Sequence, residues 1–255
     1  MEQRIGFQLP PWARSREAGP RPASWRSPVV IGGTGGSGTR VVAAALARSG
    51  RYLGTRLNAS LDALDFAEFD WRWARQILEV GAGPEARQAF ERALAAHLRQ
   101  HGTAERSWGW KHPHSYLLIP FLADRFPTLR FVHVIRDARA IALSANQHQF
   151  RRYRALAGIA EDDETVRSRL RFWVWANLRA ADDAVAALGD RYLLVRFEDL
   201  CAEPGRTVEQ IVAFTGDKMA GYMADVVEPP ADLDRGSELE VEPEVGEALR
   251  HFGYL

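Results

Sequence analysis

Three short segments hold the residue types best suited to chemistry. The first is the turn Gly32-Gly33-Thr34-Gly35-Gly36-Ser37-Gly38-Thr39-Arg40, with four glycines in its first five positions. An apolar run, Pro28 to Ile31, leads into it, and an alanine-rich stretch, Val41 to Arg48, leads out. A strand, a glycine turn and a helix start make an anion site. Glycine lets the backbone wrap closely round a ligand, and the first helical amides point at it without partners. The expected ligand is a phosphate. The second segment is Trp110-Lys111-His112-Pro113-His114, where a cation and two imidazoles sit together. Lys111 stands out because only it and Lys218 are lysine among 33 basic residues. The third is Arg136-Asp137-Ala138-Arg139, with Ser144 eight residues beyond Arg136. An arginine at the tip of a buried strand offers a phosphate a fork of donors. A serine on the helix that follows adds a hydroxyl, and Asp137 suits that helix's N-cap.

The elements that must position these residues are legible in outline. Strands are expected at about Pro28–Gly32, Ser107–Lys111, Arg130–Ile135 (RFVHVI) and Tyr192–Val195. Helices are expected at about 38–49, 61–80, 84–100, 115–126, 139–153, 164–188, 204–215 and 243–252, from apolar periodicity and from prolines at helix starts. In the long helix, Leu170, Trp173, Val185 and Leu188 lie near one face. Strands alternating with helices give an α/β class with a mostly parallel sheet in three layers. Such sheets bind ligands beyond the carboxyl ends of their strands, where all three segments fall. Residues 1–27 are rich in proline and arginine and read as an extended or disordered arm before a single domain over 28–255.

Composition narrows the function classes. Lys+Arg and Asp+Glu are equal at 33 each, so bulk attraction to nucleic acid or to a membrane surface is not indicated. The single cysteine, Cys201, excludes an internal disulfide and a cysteine-based zinc cluster. The longest apolar run, Tyr116 to Ala123, is too short to span a bilayer, and no stretch near residue 1 has the apolar length of a signal peptide. The expectation is a soluble cytoplasmic protein without a metal.

The glycine turn alone admits rivals. Gly33, Gly35 and Gly38 fit both the dinucleotide pattern G-x-G-x-x-G and P-loop spacing. The dinucleotide reading wants an acidic residue about 20 positions on, closing a second strand. Asp62 is the nearest, with no convincing strand before it. The ATP-type P-loop wants Gly-Lys-[Ser/Thr], but Gly38 is followed by Thr39 and Arg40.

Taken in order, the turn and the Arg136-Asp-x-Arg139 segment with Ser144 resemble the sulfotransferases that use 3′-phosphoadenosine 5′-phosphosulfate (PAPS). Tyr192-Leu-Leu-Val-Arg-Phe-Glu-Asp-Leu200, followed by Glu203-Pro204, resembles that family's Tyr-Glu-Asp-Leu segment. The ending Phe252-Gly-Tyr-Leu255 resembles its bacterial members. The likeness runs from Pro28 to Leu255. It implies a P-loop-like sulfotransferase fold, PAPS as donor, and a hydroxyl or amine of a small molecule or carbohydrate as acceptor. It implies that Gly35, Gly36, Ser37, Gly38, Thr39 and Arg40 grip the phosphosulfate, and that Arg136 and Ser144 grip the 3′-phosphate. Gly36 stands where the family usually has a cation. Arg40, where a threonine is common, is expected to reach back and replace it.

By the same resemblance Lys111 holds charge on the transferred group. His114 has the separation from Arg136 expected of the histidine base, and His112 competes with it. Asp62 or Asp65 would serve instead if the base is a carboxylate, as in the protein-tyrosine branch. Phe66, Phe69, Trp71 and Trp73 either line an acceptor pocket or belong to the core. A P-loop kinase of a small metabolite and a non-catalytic nucleotide-binding protein are the alternatives. The oligomeric state is not legible.

Overall fold

The computed structural model describes residues 27–99, 101, 107–218, 224–231 and 233–255. Apart from Ser27, the arm expected over 1–27 lies outside the described residues. Four strands form the sheet: β1 (Val29–Gly32), β2 (Gly109–Lys111), β3 (Arg130–Ile135) and β4 (Tyr192–Arg196). They pair in the order β2-β1-β3-β4, all parallel. The register sets Ile31 beside Lys111, Gly32 beside His133 and Ile135 beside Arg196. The carboxyl ends of the strands therefore open on one edge, where a doubly covered sheet binds ligands.

Strand alternation builds the core. Val30, Trp110 and Phe131 point to one face and pack with Phe69, Phe90, Phe121 and Phe172. Those come from helices α2 (Ala67–Val80), α3 (Pro84–Leu98), α4 (Ile119–Arg125) and α7 (Val166–Ala187). Val29, Ile31, Val132, Val134 and Val195 point to the other face. They pack with Val42 and Leu46 of α1 (Thr39–Arg48) and with Val208 and Ile211 of α9 (Pro204–Thr215). Helices on both faces of a parallel sheet make the expected three layers. A third cluster joins Ile135 and Trp173 to Leu249 and Phe252 at α10 (Pro243–His251).

Three expectations need correction. The helix expected over 139–153 is broken into α5 (Ala138–Ala142) and α6 (His148–Tyr153). Gln147 causes the break: its Nε2 donates to the carbonyls of Ile141 and Ser144, at 2.8 Å each. The helix expected from Leu61 starts later. A short 3-10 turn covers Leu64–Phe66 and α2 follows, because Leu61 is left-handed (φ 61) and Asn58 Oδ1 accepts the amides of Ser60 and Asp62. Val185 is exposed on α7, away from buried Leu170 and Trp173. An unexpected helix, α8 (Phe197–Ala202), follows β4 directly. Among the described residues, no helix is long and apolar enough to cross a membrane.

Candidate active site

The glycine turn runs from the end of β1 to the start of α1. Its last glycine, Gly38, is the N-cap of α1 at φ 88, with no side-chain cap and no acidic residue in the first turn. The helix start thus keeps its amides and its positive dipole end for a ligand. Ser37 is buried, and its Oγ has no partner among the described residues. A buried hydroxyl left unpaired is costly, and a bound anion would satisfy it. Gly38 also admits no side chain: a Cβ would lie 2.1 Å from Phe197 Cδ2.

The backbone of the turn is held from several directions. Gly33 donates its amide to the Pro113 carbonyl at 3.0 Å, and Gln149 Nε2 donates to the Gly33 carbonyl at 3.2 Å. Asn177 bonds Thr34 Oγ1 at 3.3 Å. Asn177 also joins buried His133, whose other nitrogen meets Tyr192 Oη at 2.8 Å. Sequence reasoning did not single out Gln149, Asn177 or His133; a polar residue inside an otherwise apolar strand or helix face was the available signal.

The second anion segment lies against the first. A Cβ on Gly36 (φ 93) would stand 3.7 Å from Ser144 Oγ and 3.5 Å from Ile141 Cδ1. Ser144 follows the end of α5 and shares with Ile141 the side that faces the glycines. The Arg136 guanidinium sits 5.5 Å from the centre of the Phe197 ring, the same ring that abuts Gly38. Asp137 caps α5, accepting the Arg139 amide at 2.8 Å and pairing with its guanidinium.

On the β2 side, Lys111 is buried and donates to the Ser60 carbonyl at 3.0 Å and to Asp62 Oδ1. Burial pulls its ammonium below the usual lysine range; Asp62 opposes the fall and the Arg40 charge adds to it. Arg40 is exposed on the first turn of α1, with its field reaching Lys111. Asp62 is therefore the partner of Lys111. Asp65 points elsewhere, bonded to Arg56 at 3.0 Å and 3.6 Å from His97 Nδ1, and the structure does not bring it to the other candidates.

His114 has the partner a base needs. Its Nδ1 lies 2.5 Å from Asp70 Oδ2 and 3.1 Å from Tyr153 Oη. Burial works to raise the Asp70 pKa, but the bond to His114 and the charges of His114, His112 and Arg152 outweigh it, so the carboxyl sits below its usual value. His112 is held down to about 4 by burial and stays neutral at ordinary pH. Its ring is 5.3 Å from that of His114. Asp70 was absent from the sequence reading. Its signal was there: with Phe66, Ala74 and Ile77 it lies on the buried face of α2, a carboxylate at a core position.

A parallel sheet between two helical layers, with a glycine turn between its β1 strand and the following helix, defines a P-loop-like α/β protein. The chain belongs to the sulfotransferase family, whose profile matches residues 28–220. It is similar to carbohydrate sulfotransferase 5 of Mus musculus, 34% identical over 39% of this chain and 28% of that one. It is also similar to carbohydrate sulfotransferase 6 of Homo sapiens, 33% identical over the same shares. The chain thus spans less than a third of the length of these curated relatives. Among solved structures, the sulfotransferase domain of the Synechococcus PCC 7002 olefin synthase aligns over 90% of this chain and 96% of that domain, with TM-score 0.56 and 20% identity. The sulfotransferase domain of the curacin biosynthetic pathway aligns over 90% and 98%, with TM-score 0.53 and 14% identity. These likenesses are of fold.

Proposed function

We propose that the protein transfers a sulfuryl group from PAPS to a hydroxyl of a carbohydrate or small molecule. The observation that carries this reading is the meeting of the glycine turn with Ser144, which makes one clamp of two anion sites. Such a clamp suits a donor with phosphates at both 5′ and 3′ positions. The orphaned Ser37 Oγ and the uncapped start of α1 fit the 5′ side, and Arg136 with Ser144 fits the 3′ side.

When bound, PAPS supplies the sulfuryl group, whose bond to the 5′-phosphate oxygen breaks as the acceptor oxygen bonds sulfur. His114 takes the acceptor proton, and Asp70 fixes the imidazole tautomer and supports its charge. Lys111, the turn amides and Arg40 hold negative charge at the clamp, as positioned donors do in phosphoryl transfer. Asp62 orients Lys111. The carbohydrate class rests on the curated relatives and on Trp71, which is 71% exposed beside Asp70. Its ring carries the Arg152 guanidinium at 4.4 Å, and Arg152 also reaches the Asp70 carbonyl, giving a flat platform next to the base.

Thermal denaturation with adenosine 3′,5′-bisphosphate, ATP–Mg or NAD tests the reading, since a ligand of the folded state raises stability. The bisphosphate alone should raise the midpoint. A rise with ATP–Mg and none with the bisphosphate would sink the proposal.

A further inference from the structure

We propose that Asp70, His112 and His114 form a site for one divalent transition ion, zinc by preference, and that its occupation switches the transferase off. The three residues each offer one ligand atom, and these atoms all lie within 4.8 Å of one another. Two imidazoles and a carboxylate are a ligand set common to zinc and to other first-row ions. Asp70 and His114 are 44 residues apart in the chain, so the set exists only once α2 folds onto the end of β2.

Two further observations point to a ligand. The second carboxylate oxygen of Asp70, Oδ1, is buried and has no partner among the described residues. A carboxylate bonded through one oxygen leaves its other lone pairs costly to bury unless a donor or a cation meets them. Asp70, His112 and Ser115 also line a cavity of about 10 Å³, whose other walls are aromatic rings with Leu118 and Leu122, and which His114 does not border. That is the room of one water-sized sphere. Tetrahedral zinc, with bonds of about 2.0–2.2 Å, spaces its ligands roughly 3.4 Å apart, so the cluster needs to close by no more than side-chain rotation allows. Three protein ligands leave a fourth position for water, as in open zinc sites.

The consequence for activity rests on the proposed transfer; the binding itself does not. As the ion takes His114 Nδ1, the proton shared there with Asp70 moves through solvent to Nε2, and the imidazole then has no lone pair for an acceptor proton. The platform, the glycine turn and the 3′-phosphate clamp are untouched, so the ion should block turnover without displacing bound nucleotide.

The test uses the full chain and cobalt(II) or zinc(II) alone, at neutral pH. Cobalt titration should saturate at one equivalent with the intense visible bands of a four-coordinate ion, and zinc should bleach them. His112→Gln and Asp70→Asn should each weaken binding by at least the 10–100-fold that loss of an outer-shell partner costs. Zinc should abolish transfer, a chelator should restore it, and affinity for adenosine 3′,5′-bisphosphate should stay the same. Should either variant fail to fold, the cobalt spectrum of the unaltered chain carries the test. No saturable binding, a six-coordinate spectrum, or full-strength binding in both variants would overturn the site. Stoichiometric binding that leaves transfer intact would overturn the switch. A chain that binds cobalt as expected yet transfers nothing from PAPS would refute the proposed function and leave the metal site standing.

Discussion

A carboxylate buried on an apolar helix face and a histidine at a strand end make the proposed chemical centre. Each is explained by the other. Asp70 stays ionised in a core position because His114 bonds it at 2.5 Å, and His114 is held in one orientation because Asp70 is fixed by α2. His114→Ala should lower kcat by about 10²–10⁴-fold, the usual worth of a positioned general base, and leave bisphosphate affinity intact. Asp70→Asn should cost a comparable factor by leaving the imidazole in the wrong tautomer. Initial rates at saturating donor, with the bisphosphate Kd measured alongside, check both; a loss of nucleotide affinity equal to the loss of rate would contradict the assigned roles. With glycine at position 36, charge at the turn must come from elsewhere, and Arg40 already acts on Lys111 through space. Arg40→Ala should weaken donor binding and slow turnover, and an unchanged Kd and kcat would remove it from the site. Lys111, His112 and His114 were legible because they are adjacent in sequence. Asp70 was not, because helical spacing reads it as one polar residue among core aromatics until the partner across the fold is known.

Among the elements, the strands and most helices followed from apolar runs, proline and glycine, and these placed the three chemical segments on one sheet edge. The break between α5 and α6 did not follow. Apolar periodicity continues across it: Ile141 and Phe150 are both buried. What ends the helix is a side chain, Gln147, which accepts the work of the missing amides by donating to two carbonyls. The break matters because Ser144 lies just past the end of α5, three residues beyond Ile141, and both side chains meet Gly36 there. Gln147→Ala leaves those carbonyls without their donor in a buried place. It should destabilise the fold by about 1–3 kcal/mol and weaken the bisphosphate more than it weakens inorganic sulfate. Denaturant midpoints and calorimetric titration with both ligands would show this. Equal loss for both ligands would mean that the break does not position the 3′ side of the clamp.

The whole molecule is tied to its site by a buried polar line through an apolar body. Tyr192 on β4, His133 on β3, Asn177 on α7 and Thr34 in the glycine turn are linked hydrogen bond to hydrogen bond. The line crosses the sheet face on which the aromatic core packs, and it fixes the turn from beneath. Its weak member is His133. Asn177 Oδ1 accepts from Nε2, so Nδ1 is the acceptor for the Tyr192 hydroxyl. A second proton on the ring would set a donor against that hydroxyl and place a charge in the core. Burial accordingly holds the His133 pKa down to about 4, against about 6.5 in the unfolded chain. A depressed folded value means the unfolded state binds the proton first. The stability tied to His133 is complete above about pH 6.5 and is lost as pH falls toward 4. The gap corresponds to about 3 kcal/mol, a large part of an ordinary domain's stability. Urea unfolding at about pH 7 and about pH 4.5 should show the native chain losing much of its stability at the lower value. His133→Gln keeps a hydrogen-bonding side chain but cannot take up the proton. The variant should start less stable, lose less on acidification, and hold its nucleotide-stabilised midpoint over a wider pH range. If both proteins weaken equally between the two pH values, other groups, buried His112 among them, govern the acid response and the buried line does not couple the core to the turn.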